Sequence, residues 1–181
     1  MCIVIRKAEV KDCPGIFDLI TISSPIPRSS NFPDQELAIH EKHQDQMKIS
    51  LEKFREDGFG DDTKFQCFVA ECEENDTLRL IGYVIYFNTY STWQGKCIHM
   101  EDIYVVPEYR SKGIGSKLIG SVCKVADLQN CGRVQFIVRD SNKSAMKFYK
   151  HQGAIDLTEV QEWHLFRLTS DAIEKVAAKY D

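Results

Sequence analysis

Residues 101–119 read EDIYVVPEYRSKGIGSKLI, and the hydrophobic period changes inside this stretch. The run Glu101 to Val106 is rich in branched and aromatic residues and reads as a strand that Pro107 ends. From Ile114 the apolar residues Ile114, Leu118, Val122 and Val125 recur on one face of a helix ending near Cys131-Gly132. Between the two lies Arg110-Ser111-Lys112-Gly113-Ile114-Gly115. Glycines let a main chain come close to a phosphate, and amide N–H groups at a helix start form an anion site. A diphosphate would be held there by main chain rather than by side-chain charge. The plain alternative is a flexible turn in which Gly113 and Gly115 serve backbone angles only. A P-loop is excluded because no Gly-Lys-Ser/Thr ending is present. A dinucleotide fold is disfavoured because the early glycines and a first βαβ unit are missing.

Upstream, IVIRKAE reads as a strand and DCPGIFDLI as a helix, with Asp12 placed to cap it and Pro14 in its first turn. The proline- and serine-rich SSPIPRSSNFPD is a loop, and a long polar helix follows over roughly Gln35 to Asp57, running into the turn DGFGDD. Three strands come next: FQCFVAEC, LRLIGYVIYFNTY beyond the polar turn EENDT, and KCIHMEDIYVV. Downstream, RVQFIV is a strand and SNKSAMKFYKHQG a helix, with Ser141 or Asn142 as cap and Gly153 just past its end. WHLFRL is a last strand, and SDAIEKVAAKY a short closing helix. Strands grouped first and then alternating with helices predict an α+β fold, a mixed sheet layered between helices.

The chain has 181 residues, 43% hydrophobic and 28% charged, which predicts one globular domain over residues 1–181. No stretch approaches the ~20 apolar residues of a membrane span, so no membrane partner is expected and the cytoplasm is the expected location. A formal charge of −4 argues against a nucleic-acid surface and agrees better with a cationic ligand. Seven scattered cysteines without a C-x-x-C pair indicate neither a disulfide framework nor a zinc site. His40 and His43 sit three apart on the expected helix, but with no third ligand in view they read as a solvated face, and no metal is expected.

EDIYVVPEYRSKGIGSKLI together with NKSAMKFYKHQGA resembles the Gcn5-related N-acetyltransferases (GNAT). The strings EDGFG, IGY, TW-x-GK, EDIYV, FYK-x-x-GA-x-DL and W-x-LF are similar to its diamine (spermidine/spermine) and thialysine acetyltransferase branch. The likeness spans nearly the whole chain, excepting roughly Thr21 to Ser50. It implies the GNAT fold, with a mostly antiparallel central sheet, and acetyl-CoA as cosubstrate. By the same resemblance, the backbone of Ile103, Tyr104 and Val105 pairs with the pantetheine arm. The amides of Ser111, Lys112, Gly113, Ile114, Gly115 and Ser116 hold the pyrophosphate. Asn142, Lys143, Ser144 and Ala145 line the far side of the arm, with Tyr149 and Gln152 nearby. Gln135, Phe136, Ile137 and Gln161 match substrate positions, and Trp163 lies near the substrate's far end. Arg110 has a duller role open to it as a surface ion-pair partner of Glu108.

An alkyl ammonium has a pKa near ~10.4, so well under ~1% is free amine at neutral pH and something must take its proton. Glu101 is the candidate, directly or through a water; its plain reading is a solvated strand residue. Asp102 lies on the opposite face by strand alternation unless the strand bulges, and is left to a partner face or a neighbouring subunit. Tyr149 is placed by the resemblance to protonate the thiolate leaving the tetrahedral intermediate. Tyrosine is the weaker acid by ~2 kcal/mol, so hydrogen-bond donation to the growing charge is its main expected part. A helix aromatic packed beside Phe148 is the plain alternative.

Two departures bear on the substrate. Gln161 stands where polyamine enzymes place an acid, with Glu162 next to it. The loop Thr21 to Asp34 carries Arg28 and no matching carboxylates. The resemblance therefore implies a small-molecule primary amine, either a polyamine or diamine or a thialysine-like amino acid, and a homodimer. A peptide N-acetyltransferase and a non-catalytic acetyl-CoA sensor are the rival readings.

Overall fold

Alternation of apolar and polar residues builds a five-stranded sheet in the computed structural model, which describes residues 2–23, 49–74 and 77–180. The strands are β1 (Cys2–Lys7), β2 (Gln66–Glu74), β3 (Thr77–Ser91), β4 (Gly95–Val105) and β5 (Val134–Gln135), in the order β1-β2-β3-β4-β5. The first four pair antiparallel and β5 joins β4 in parallel, so the sheet is mixed and mostly antiparallel as expected. The helices are α1 (Cys13–Ser23), α2 (Leu51–Phe59), α3 (Ile114–Leu128), α4 (Lys143–His151), α5 (Leu157–Gln161) and α6 (Ser170–Ala177). The chain divides into two compact units, Met1–Ile137 and Val138–Asp181, described in turn.

In the first unit the sheet carries one extra residue on β3. Ala70 pairs with Gly82 but Glu71 pairs with Leu80, so Ile81 has no counterpart. A bulge reverses the faces on either side of it. Leu80 meets Gly15 of α1, where an added Cβ would stand 3.1 Å away, whereas Gly82 faces Leu118 of α3 at 3.5 Å. Helices thus cover both faces. α3 buries Ile114, Leu118, Ile119, Val122 and Ala126, and α1 buries Cys13, Ile16 and Leu19. Each such aliphatic side chain contributes about 1.5–3 kcal/mol by leaving water. Gly82 itself is demanded by packing, because a Cβ there would stand 2.7 Å from the Tyr104 carbonyl oxygen.

α2 is capped by Ser50, whose hydroxyl accepts from the Lys53 amide at 3.2 Å. It runs through Gly58 to Phe59, where the sequence predicts a turn. The Phe65 ring lies where a Gly58 Cβ would be, 2.5 Å away, and this packing overrides glycine's weak helix propensity. The expected helix from Gln35 through residue 48, with His40 and His43, and Arg28 of the loop before it fall outside the described residues.

Asp12 does not cap α1. It ends a 3₁₀ turn (Val10–Asp12) and binds inward. Its carboxylate accepts from the Glu9 amide at 2.7 Å and pairs with Arg6 at 2.6 Å, and Arg6 reaches Glu71 of β2 at 2.7 Å. Burial pushes the Asp12 carboxyl up, but the Arg6 guanidinium and the Glu9 N–H outweigh it and leave it below its ordinary value. Glu71 is lowered chiefly by its bond to Arg6.

The second unit holds α4, α5 and α6. Asn142 caps α4, its Oδ1 accepting from the Ala145 amide at 3.1 Å, and Gly153 follows the helix with φ 88°. Asp156 caps α5 through the Thr158 amide at 3.1 Å, and Lys150 of α4 binds Glu159 of α5 at 2.8 Å. The strand expected over WHLFRL does not form. A strand needs a neighbour for its N–H and C=O groups, and this unit contains no other strand among its described residues. Trp163, Leu165, Phe166 and Leu168 are exposed instead. RVQFIV is likewise a strand only at Val134–Gln135.

The Arg6 network gives a signed expectation. Arg6→Gln should lower stability by about 2–4 kcal/mol near neutral pH, because it strands the buried Asp12 carboxylate. A carboxyl depressed by folding stabilises above its unfolded pKa and loses that contribution as pH falls. The gap between wild type and variant in denaturant unfolding should therefore narrow from pH 7 toward pH 3.

Candidate active site

β4 continues for six residues past His99, its last partner on β5, to Val105. Over this length β3 pairs one edge and β5 is absent from the other. The Val106 amide donates to Ile81 of β3 at 2.9 Å, and the Tyr104 carbonyl also faces β3. By alternation the main-chain groups of Ile103 and Val105 project from the opposite edge. An extended ligand could add there as a strand does.

Arg110 occupies part of this edge. Its Nε donates to the Val105 carbonyl at 2.8 Å, and its guanidinium lies over the Tyr104 ring, 5.5 Å from the centroid. These two contacts stand in place of the alternative pairing with Glu108, and in them a planar donor satisfies a carbonyl and a ring face together.

Beyond Arg110 the chain turns through Ser111 (φ 59°) and Gly113 (φ 77°), which is the N-cap of α3. An added Cβ at Gly113 would meet nothing within 4 Å. Ile114 points into the core and offers only its backbone, while Gly115 and Ser116 continue the first turn of the helix. Lys112 lies over the Tyr109 ring at 4.9 Å. A left-handed glycine opening a fifteen-residue helix fits a diphosphate cradle.

The acidic pair sits on a second bulge. Ile85 pairs with Asp102 but Tyr86 pairs with Met100, so Glu101 is the extra residue. His99, paired with Phe87, and Asp102, paired with Ile85, therefore share the α1 face although three positions separate them. The simple alternation expected for Glu101 and Asp102 fails here. Glu101 exposes its carboxylate (62%) and brings Oε2 to 3.4 Å from His99 Nε2. Asp102 turns inward rather than to a partner, accepting from the Tyr83 hydroxyl and the Ile103 amide. Burial raises its carboxyl above the usual carboxylate range, and those two donors moderate the rise. Tyr83 belongs to the IGY string without a site role read from it, His99 carries no sequence motif, and the bulge that recruits them has no glycine to announce it.

Gln135 lies directly beside His99 on β5, and Phe136 and the exposed Ile137 follow it. In the second unit Asn142, Lys143, Ser144 and Ala145 form the start of α4, where Asn142 engages the Ala145 amide and Lys143 pairs with Asp140. Tyr149 stands near the helix end, its ring 5.4 Å from that of Phe148, and Gln152 is the C-cap. Gln161 ends α5 and accepts from the Trp163 indole N–H at 2.6 Å. Among the described residues no group of three or more His, Cys, Asp or Glu is placed to hold a metal. No helix among them is long and apolar enough to cross a membrane.

Comparison with known proteins agrees with this geometry. The Acetyltransferase (GNAT) family pattern matches residues 28–154. A thialysine N-epsilon-acetyltransferase of Bos taurus is 43% identical over 181 residues, covering 98% of each chain. A spermidine/spermine N(1)-acetyltransferase-like protein 1 of Homo sapiens is 32% identical, over 96% of this chain and 23% of its own length. Among solved structures, an integron cassette protein of V. cholerae superposes with a TM-score of 0.66 at 21% identity, covering 98% of both chains. AAC(6')-Iy in complex with a CoA bisubstrate analogue superposes at 0.61 with 16% identity, covering 93% of this chain and 99% of its own. With a matched pattern across most of its length and full-length relatives above 40% identity, the chain belongs to the GNAT family of acetyltransferases, in its diamine and thialysine acetyltransferase branch.

Proposed function

We propose that the chain, as one N-acetyltransferase domain, transfers the acetyl group of acetyl-CoA to the primary amine of a small molecule. The substrate class is a thialysine-like amino acid, a diamine or a polyamine. The observation that carries this reading is the open edge of β4, which runs from the bulged Glu101 to the left-handed Gly113 at the start of α3. Full-length likeness to thialysine acetyltransferases supports it.

Acetyl-CoA supplies the activated acetyl group. The chain's residues do the rest. Amides from Ser111 to Ser116 hold the diphosphate, Ile103 and Val105 align the arm, and α4 contributes Asn142 and Tyr149. Glu101 takes the ammonium proton, and the Tyr149 hydroxyl donates to the departing sulfur. Gln135, Phe136, Ile137 and Gln161 shape the amine's surroundings. The exposed Trp163, Leu165, Phe166 and Leu168 favour a homodimer, because an alternating apolar segment without a strand partner in its own unit suits pairing with a second copy. The cytoplasm is the proposed location, and among the described residues no helix is long and apolar enough to cross a membrane.

The deciding experiment is thiol release from acetyl-CoA by purified protein with spermidine, putrescine, thialysine, lysine and a basic peptide. A small amine should be turned over far faster than the peptide; preference for the peptide, or no turnover with any amine, would replace the reading. Tyr149→Phe should lower kcat about 100-fold while the acetyl-CoA Kd stays within about twofold; equal loss of both would mean that Tyr149 only packs. Glu101→Gln should be about 100-fold slow at pH 7 and recover as pH rises toward the amine's pKa of ~10.4, because the free-amine fraction grows about tenfold per unit. A loss that stays flat across pH would remove Glu101 from proton transfer.

A further inference from the structure

We infer that His99 is a positioning residue for the acetyl transfer: its Nε2–H holds one oxygen of Glu101 and leaves the other to receive the amine's proton. The inference rests on reading Glu101 as the proton acceptor. It starts from the contrast between the two side chains. The Glu101 side chain is 62% exposed on a bulge, and among the described residues its ion-pair partner is His99 Nε2 at 3.4 Å, a contact that a small turn of the glutamate closes into a hydrogen bond. His99 is only 16% exposed and is fixed from both sides. The Phe87 ring packs against it at 5.1 Å with an interplanar angle of 31°, and Gln135 is its neighbour on β5. A free glutamate spends most of its time in unproductive rotamers, and holding it still costs entropy. A donor already locked by its surroundings supplies that order in advance.

The chemistry of the pair fixes the proton's place. An ionised carboxylate only accepts, so the ring nitrogen facing it carries hydrogen whether the imidazole is neutral or charged. In the transfer step the ammonium N–H bond breaks and an O–H bond forms on the free oxygen of Glu101, while His99 keeps its own proton throughout. On this face Tyr104 and Cys97 of β4 flank the pair along the strand, and three further titratable groups are Asp102 of β4, Tyr83 of β3 and Cys67 of β2. Asp102 and Tyr83 bind each other, and burial raises the Cys67 thiol. None of these three replaces the donor to Glu101, because Asp102 is itself an acceptor, Tyr83 is committed to it, and the Cys67 thiol is buried.

The test uses two variants and one spectrum. His99→Phe keeps an aromatic ring against Phe87 and removes the donor; kcat should fall about tenfold, with KM for acetyl-CoA within about twofold of wild type. His99→Gln places an amide N–H where Nε2 stands and should recover kcat to within about threefold of wild type. In imidazole-selective ¹⁵N spectra of the intact protein, the His99 Nε2 resonance should move in Glu101→Gln. The inference is overturned if His99→Phe keeps full kcat, if His99→Gln is as slow as His99→Phe, or if the resonance stays in place. The spectrum decides alone should His99→Phe fail to fold. A Glu101→Gln variant with full kcat would sink the proton-acceptor reading and this inference together. A slow Glu101→Gln beside a fast His99→Phe would sink this inference only.

Discussion

One extra residue in β4 governs the region where the chemistry is placed. Between Met100 and Asp102 the ladder to β3 slips by a residue, and Glu101 is left without an opposite number. A regular strand would send Glu101 and Asp102 to opposite faces, and only one of them could meet a ligand approaching from the α1 side. The slip puts His99, Glu101 and Asp102 on the same side at different depths. Glu101 stays exposed to water. Asp102 goes under the surface, satisfied by Tyr83 and by the amide next to it.

The same strand does two jobs because its neighbours end at different places. β3 accompanies β4 to Val105, with the Tyr104 carbonyl and the Val106 amide turned toward it. β5 stops at Gln135, which leaves the other edge short of partners over the last turn of pleat before the loop. Unpaired edges are normally protected by charge, by bulges or by a covering segment. Here a bulge stands at one end and the Arg110 guanidinium at the other, so the edge resists pairing with a foreign strand while staying accessible to a narrow, extended ligand.

Much of this was legible in the residues. The change of period at Gly113, the three long strands and the capped helix of NKSAMKFYKHQG follow from local patterns that the tertiary structure does not oppose. The turn at Gly113 was readable because a glycine and a helix start coincide in a few letters. The bulges were not, since Ile81 and Glu101 are ordinary strand residues and only the pairing of distant strands makes them surplus. Asp12 was misread for a related reason: a carboxylate before a helix looks like a cap until Arg6 and Glu71 arrive from elsewhere in the chain. The WHLFRL strand failed because alternation states a preference for pairing but cannot supply the partner. Asp156, by contrast, gave a readable capping signal for α5 that the sequence reading passed over.

Gly82 acts as a gauge. With no side chain of its own, it lets the Tyr104 carbonyl come within a distance that a methyl group would occupy, and so sets how near β4 can lie to the middle of the sheet. Any larger residue there would push β4 outward, toward its unpaired side. The lateral position of β4, and with it of the edge proposed above to receive the cosubstrate, is thereby set by a residue that has no side chain to offer.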